Sequence, residues 1–180
     1  MIYLLCGKGG SGKDTIARKM IELGKGNVKK IVSLTTRPPR KGEVNGEDYF
    51  YVTNDEFETI GKIESREYTT EFGVWKYGTP EYKIDKAYDY VKIGTVDNYE
   101  AFIEAYGKNN IIPVYIDVSS QILEARMFKR GDNPLEIRRR LEADEIDYMK
   151  YKDTIDKYFH IVYNDNSYTI EQLCDLIRRI

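Results

Sequence analysis

The residues able to do chemistry fall into three groups. The first is Gly7-Lys8-Gly9-Gly10-Ser11-Gly12-Lys13-Asp14-Thr15, placed where a short apolar run, residues 2–5, gives way to a helical pattern. Glycines at such a junction let successive backbone N–H groups curl around phosphate oxygens, and the helix that follows adds its positive end. Lys13 would be the point charge on a transferred phosphate. Asp14 stands where Ser or Thr usually binds Mg²⁺, and Thr15 offers a hydroxyl one residue late. Asp14 and Thr15 are therefore the candidate Mg²⁺ ligands, directly or through water. A purely structural glycine turn is the competing reading.

The second group is Arg37-Pro38-Pro39-Arg40. The prolines fix φ and bias the segment toward a polyproline-like path with three residues per turn. Arg37 and Arg40 then emerge on one side, about 9 Å apart at Cα, with forks suited to phosphate oxygens. The third group, residues 126–140, holds six basic and two acidic residues, a net of +4 in a chain of net −2. Arg126 and Arg130 share a helix face at i, i+4. Gly131 and Pro134 interrupt two helices and leave a short hinge. For either basic run, a solvated face is the bland alternative.

These groups need a scaffold, and the chain alternates short apolar runs with helical segments, the pattern of a parallel sheet wrapped by helices. Strands are expected at residues 2–5, 30–34, 48–52, 91–96, 111–118 and 161–163. A helix over residues 13–23 should stop at Gly24. Thr53 with Glu56 forms a capping box for a short helix, and Thr79-Pro80 reads as an N-cap and first-turn proline opening another. Ser119 should open a helix ended by Gly131. Asn133-Pro134 opens a long helix to about Tyr151, and an amphipathic helix closes the chain.

With 180 residues, 41% hydrophobic and 32% charged, the chain fits one globular domain. No stretch approaches the roughly 18 apolar residues of a membrane span, and the N-terminus shows no basic region or cleavage site of a secretory signal. Two cysteines, Cys6 and Cys174, form no disulfide framework and point to a reducing compartment, hence the cytoplasm. The balance of 28 basic against 30 acidic residues argues against a bulk grip on nucleic acid. One histidine, His160, leaves little for metal clusters or a catalytic triad.

The stretch Arg37-Pro38-Pro39-Arg40-Lys41-Gly42-Glu43-Val44-Asn45-Gly46-Glu47-Asp48-Tyr49, followed by Tyr77-Gly78-Thr79, resembles the acceptor signature of the guanylate kinase family. The likeness covers essentially the whole chain. It implies a P-loop NTPase three-layer α/β sandwich with a five-stranded parallel core sheet. The core would comprise residues 1–32, 91–125 and 141–180, with a small GMP-binding subdomain at 33–90 and a helical lid at 126–140. It implies ATP as co-substrate, Mg²⁺ as cofactor, GMP and dGMP as acceptors, and a monomer or homodimer.

In residue terms, Gly7 through Thr15 and Asn164 would meet ATP. Ser33, Arg37, Arg40, Tyr49, Tyr77, Thr79 and Asp97 would meet GMP. Lys13, Arg37, Arg126, Arg130 and Arg140 would carry the transfer, with Arg139 as the alternative to Arg140. The base-reading carboxylate falls on Glu67 if one inserted residue is placed between Gly73 and Tyr77; without it the position is Tyr68, and Glu71 becomes the rescue candidate. Two other readings stay open. Asp14 also marks same-fold kinases of ribose 1,5-bisphosphate, and guanylate-kinase-like modules of scaffolds bind partners without catalysis.

Overall fold

The computed structural model describes residues 1–40, 42–70 and 73–180; Glu71, the alternative base reader, lies outside them. The elements run β1 (Ile2–Cys6), α1 (Lys13–Leu23), β2 (Val28–Lys30), β3 (Leu34–Thr35), β4 (Phe50–Tyr51), α2 (Asn54–Thr59), β5 (Lys62–Thr70) and β6 (Gly73–Pro80). They continue with β7 (Asp89–Ile93), α3 (Asn98–Tyr106), β8 (Ile111–Asp117), α4 (Ser120–Arg130), α5 (Pro134–Tyr158), β9 (His160–Tyr163) and α6 (Ile170–Arg178).

Five strands form one parallel sheet in the order β2-β7-β1-β8-β9. Every residue of β1 is buried, as expected of a central parallel strand covered on both faces. Tyr3 and Leu5 point to one face, against Ile16 and Met20 of α1, Leu123 of α4 and Leu173 of α6. Ile2, Leu4 and Cys6 point to the other, against Phe102 of α3 and Ile155 of α5. Helix, sheet and helix make the three layers. All five strands run the same way, so the segments after β1, β7, β8 and β9 share one edge, where ligands of open α/β sheets bind.

A second sheet, ordered β4-β3-β6-β5, stands beside the first. Its β5–β6 hairpin pairs Arg66 with Tyr77 and Glu67 with Lys76. Leu34 and Gly78, opposed across β3 and β6, lie on the face covered by Phe57 of α2, whose ring would stand 3.1 Å from a Cβ on Gly78. The opposite face carries Thr35, Tyr77 and Arg66. The capping box of α2 is present in both directions, Thr53 with Glu56.

Several expectations are corrected. The strand expected at 30–34 is two strands, β2 in the core sheet and β3 in the second, because the chain changes sheets at residues 31–33. Thr79-Pro80 opens no helix; both residues end β6. The residue before a proline is biased toward extended backbone, and the Thr79 hydroxyl is given to Glu64 across the hairpin rather than to a helix N-terminus. Gly24 ends α1 in right-handed geometry, φ −72°, and the left-handed positions are Lys25 at 47° and Gly26 at 91°. Helix α5 continues past Tyr151 to Tyr158, held by Ile155 in the core.

Candidate active site

The glycine loop joins β1 to α1, and its shape is forced by its neighbours. Gly7, Gly10 and Gly12 have φ of 144°, 79° and 92°, values costly for residues with a Cβ. A Cβ on Gly7 would stand 2.5 Å from the Ile116 carbonyl oxygen, and one on Gly12 would stand 2.7 Å from Asn164 Nδ2. The Lys13 ammonium folds over the loop, donating to the carbonyls of Gly7 at 2.6 Å and Lys8 at 2.8 Å. Burial lowers its pKa, opposed by Asp14 and Asp144.

Two partners hold this loop from outside. Asn164, buried after β9, donates Nδ2 to the Ser11 carbonyl at 2.8 Å. From α5, Asp144 accepts the Gly9 N–H at 2.6 Å, and Glu145 pairs with the Lys8 ammonium at 2.5 Å. Burial raises the Asp144 carboxyl, against the lowering effect of the Gly9 bond and Lys13. Asp14 and Thr15 are exposed in the first turn of α1. Both offer hard oxygen atoms suited to Mg²⁺. No group of three or more metal-ligating side chains exists among the described residues.

Beside the loop lies a cleft lined by Gly10, Gly12, Lys13, Asp14, Arg126, Arg130, Asn164 and Tyr168. Arg126, from α4, donates to the Asn164 carbonyl at 2.9 Å and to Asn166 Oδ1 at 2.8 Å. Arg130 grips Asp132 through two bonds, and Arg140 reaches the same carboxylate at 3.2 Å. Asp132 is held ionised first by Arg130, with Arg140 and Arg40 adding their charge. Arg139, more exposed, bonds Glu136, as does Arg140 at 2.7 Å, and Arg140 also shares Asp132 with Arg130. The Arg139 bond, followed by Arg140, pulls Glu136 down to about 2.

In the proline-flanked arginine segment, Arg37 is 7% exposed and sits 5.5 Å from the Tyr49 ring. Its fork donates to Glu43 at 3.0 Å and to the Pro38 carbonyl at 2.7 Å. Its Nε is buried with no partner among the described residues, an orphan donor of the kind a ligand satisfies. The other Glu43 oxygen accepts the Arg40 backbone N–H at 2.6 Å and the Tyr51 hydroxyl at 2.8 Å. Tyr49, raised to about 12 by burial, packs against Tyr77 with centroids 5.8 Å apart. Glu43 thus ties the Arg37 guanidinium to the Arg40 backbone and the Tyr51 hydroxyl.

The expected base reader is placed elsewhere. Glu67 pairs with Lys76 on the outer face of the hairpin, its side chain 63% exposed. Alternation puts Glu64, Arg66 and Tyr68 on the inner face with Tyr77 and Thr79. Arg66 bridges Asp97 at 3.5 Å and Asp147 of α5 at 3.1 Å. Sequence reasoning missed Glu64, Arg66, Asp144 and Asn166. Asp144, one turn after Arg140, was the signal for the contact of α5 with the loop.

The five-stranded parallel sheet, covered by helices and with a glycine loop between its central strand and α1, places the chain in the P-loop NTPase fold class. A profile described as guanylate kinase matches residues 1–180. Among similar proteins, the guanylate kinase of Bacillus subtilis is 32% identical, over all of this chain and 87% of its own length. That of Wolbachia pipientis is 31% identical over 99% of this chain and 90% of its own. The crystal structure of guanylate kinase from Anaplasma phagocytophilum superimposes with a TM-score of 0.70 at 24% identity, covering 98% of this chain and 85% of that one. The chain belongs to the guanylate kinase family.

Proposed function

We propose that this chain transfers the γ-phosphoryl group of ATP to GMP, and to dGMP, giving ADP and a guanosine diphosphate. One observation supports this most: the guanylate kinase profile matches all 180 residues, the glycine loop with Lys13 and the Arg37–Tyr49 segment included. Within the lid segment Asp132 pairs with both Arg130 and Arg140, guanidinium groups that phosphate oxygens would draw on.

The roles follow from the contacts. Backbone amides of Gly9 through Lys13, with the Lys13 ammonium, hold the donor phosphates. Once phosphate enters, Lys13 exchanges its carbonyl contacts for anionic oxygens, a stronger pairing. Arg37, Arg40, Tyr49 and Tyr77 aim the acceptor phosphate, which is largely dianionic near neutral pH with a second pKa of about 6. No general base is therefore needed. An acceptor oxygen forms the new P–O bond while the bridge between the β- and γ-phosphates breaks and its electrons leave with ADP. Arg126, Arg130 and Arg140 neutralise charge on the equatorial oxygens, and positioning plus electrostatics supplies most of the acceleration in such transfers. Asp14 and Thr15 would hold Mg²⁺, which would supply positive charge to neutralise the donor phosphates.

We take residues 33–90 as the acceptor subdomain and 126–140 as the lid of a single domain, working as a monomer or homodimer in the cytoplasm. No helix among the described residues is long and apolar enough to cross a membrane.

A panel of nucleoside monophosphates and ribose 1,5-bisphosphate, assayed with MgATP, tests the reading. GMP should be the best acceptor, and Lys13→Ala should abolish turnover. Preference for ribose 1,5-bisphosphate would move the assignment to the sugar-phosphate kinases. Full turnover by the Lys13 variant would overturn the role of the loop, and undetectable ATP binding would indicate a non-catalytic module.

A further inference from the structure

A lysine is buried where the two sheets meet. Lys92, the penultimate residue of β7, is 2% exposed, and lysine is almost never fully buried unless paired. Its ammonium donates to Ser33 Oγ. Ser33 lies one step beyond the Leu34–Gly78 pair in the β3–β6 register, which sets it beside Thr79. Thr79, itself fully buried, donates its hydroxyl to Glu64 Oε1. Asn98 Nδ2, also buried, donates to Glu64 Oε2 at 2.8 Å. Ser33 and Glu64 are the half-buried members of this network, so they are the ones a ligand can reach.

The buried members fix the hydrogen-bond polarity of the reachable ones. An ammonium group only donates. With Lys92 on a lone pair of Ser33 Oγ, the hydroxyl proton must point away from it. A carboxylate only accepts, and Thr79 and Asn98 take two of its roughly four lone-pair positions. The result is a fixed donor, Ser33, near a fixed acceptor, Glu64.

We propose that Lys92 is a positioning residue for acceptor choice: by making Ser33 a permanent donor near Glu64, it builds an edge complementary to a 6-oxopurine. The carbonyl O6 would accept from Ser33, and N1–H would donate to Glu64. Adenine carries an amino donor and a bare ring nitrogen at those two atoms, the reverse pattern, and a site built for one pattern leaves polar groups unpaired with the other. The inference rests on the reading above that the acceptor is a nucleoside monophosphate. It replaces Glu67 and Glu71 with Glu64 as the base-reading carboxylate.

The titration of Lys92 adds a second handle. Burial pulls it down to about 8, with Glu64 of β5 opposing, Lys30 of β2 reinforcing and Cys6 of β1 opposing. Once neutral, its amine can accept the Ser33 proton and turn that hydroxyl away from the ligand.

The test is Lys92→Met, Ser33→Ala and the double variant, with kinetics and calorimetric binding for GMP, IMP and AMP. Methionine fills similar volume and removes the cost of desolvating a buried ammonium, and the melting temperature of the variant checks that it folds, with Ser33→Ala as the variant that leaves Lys92 in place. Lys92→Met should raise KM for GMP about tenfold, the worth of one good hydrogen bond, with KM for ATP unchanged and the GMP-over-AMP preference reduced. IMP, which keeps O6 and N1–H, should behave like GMP rather than AMP. The double variant should be no worse than Ser33→Ala, because Lys92 acts through Ser33. The parent's KM for GMP should rise above about pH 8 beyond any rise in Lys92→Met, since base titration is common to both. A folded Lys92→Met with unchanged KM for GMP, or losses that simply add, would overturn the proposal. Should the parent phosphorylate no nucleoside monophosphate, the proposed reaction fails, while GMP binding over AMP binding still scores the edge.

Discussion

Replacing Arg37 with lysine separates function from folding. Arg37 is 7% exposed, its fork is shared between Glu43 at 3.0 Å and the Pro38 carbonyl, and its Nε is buried without a partner among the described residues. Lysine keeps the charge but presents one point donor instead of a planar fork. With an acceptor phosphate bound, the change removes about one charge-assisted hydrogen bond, worth roughly 1.5–3 kcal/mol. At 1.36 kcal/mol per decade that is a loss of about 10- to 150-fold in kcat/KM for GMP. Stability moves less, because two terms oppose each other. The lost fork to Glu43 is destabilising, while removal of the orphan Nε relieves a desolvation cost of about 1–3 kcal/mol. A net within about 1 kcal/mol shifts the melting temperature of a chain this size by only about 2–4 °C. Steady-state kinetics with each substrate varied, beside a thermal melt, measures both. Unchanged kcat/KM for GMP, or an equal rise in KM for ATP, would falsify the acceptor-phosphate role.

Two further outcomes follow from the geometry. Glu67→Gln should leave the GMP-to-AMP preference intact, because that side chain faces outward to Lys76; a collapse of preference in the same panel would return base reading to Glu67. Asp144→Asn should melt higher than the parent at pH 7, because burial raises the Asp144 carboxyl and a carboxyl raised in the folded state costs stability while ionised. That cost disappears as pH falls through the folded value, so the advantage should narrow toward about pH 4. An offset that does not change with pH would show that Asp144 is not ionised against its environment.

What could be read without coordinates was local. The loop from Gly7 to Lys13 is a strand, a glycine turn and a helix in immediate succession, so its position and φ requirements are written in adjacent residues. The Thr53–Glu56 capping box and the Gly131 helix stop are equally short-range. The β5 strand resisted because Lys62–Thr70 has no sustained apolar alternation. One of its faces looks into a polar cleft and the other outward, so burial leaves no period-2 signature. The choice among Glu64, Glu67 and Glu71 depends on register, and a one-residue shift reverses which face a strand residue occupies.

The sequence by itself determined the chemistry available: a phosphate loop with its lysine, an arginine pair stiffened by proline, and a cationic run after the fourth core strand. The tertiary structure decided which of these groups meet. Pairing across β3, β5 and β6 brought Ser33, Glu64 and Thr79 together, and the packing of α5 carried Asp144 onto Gly9. Backbone conformation depends on near neighbours, whereas which side chains meet depends on strand register and helix packing between residues far apart in the chain.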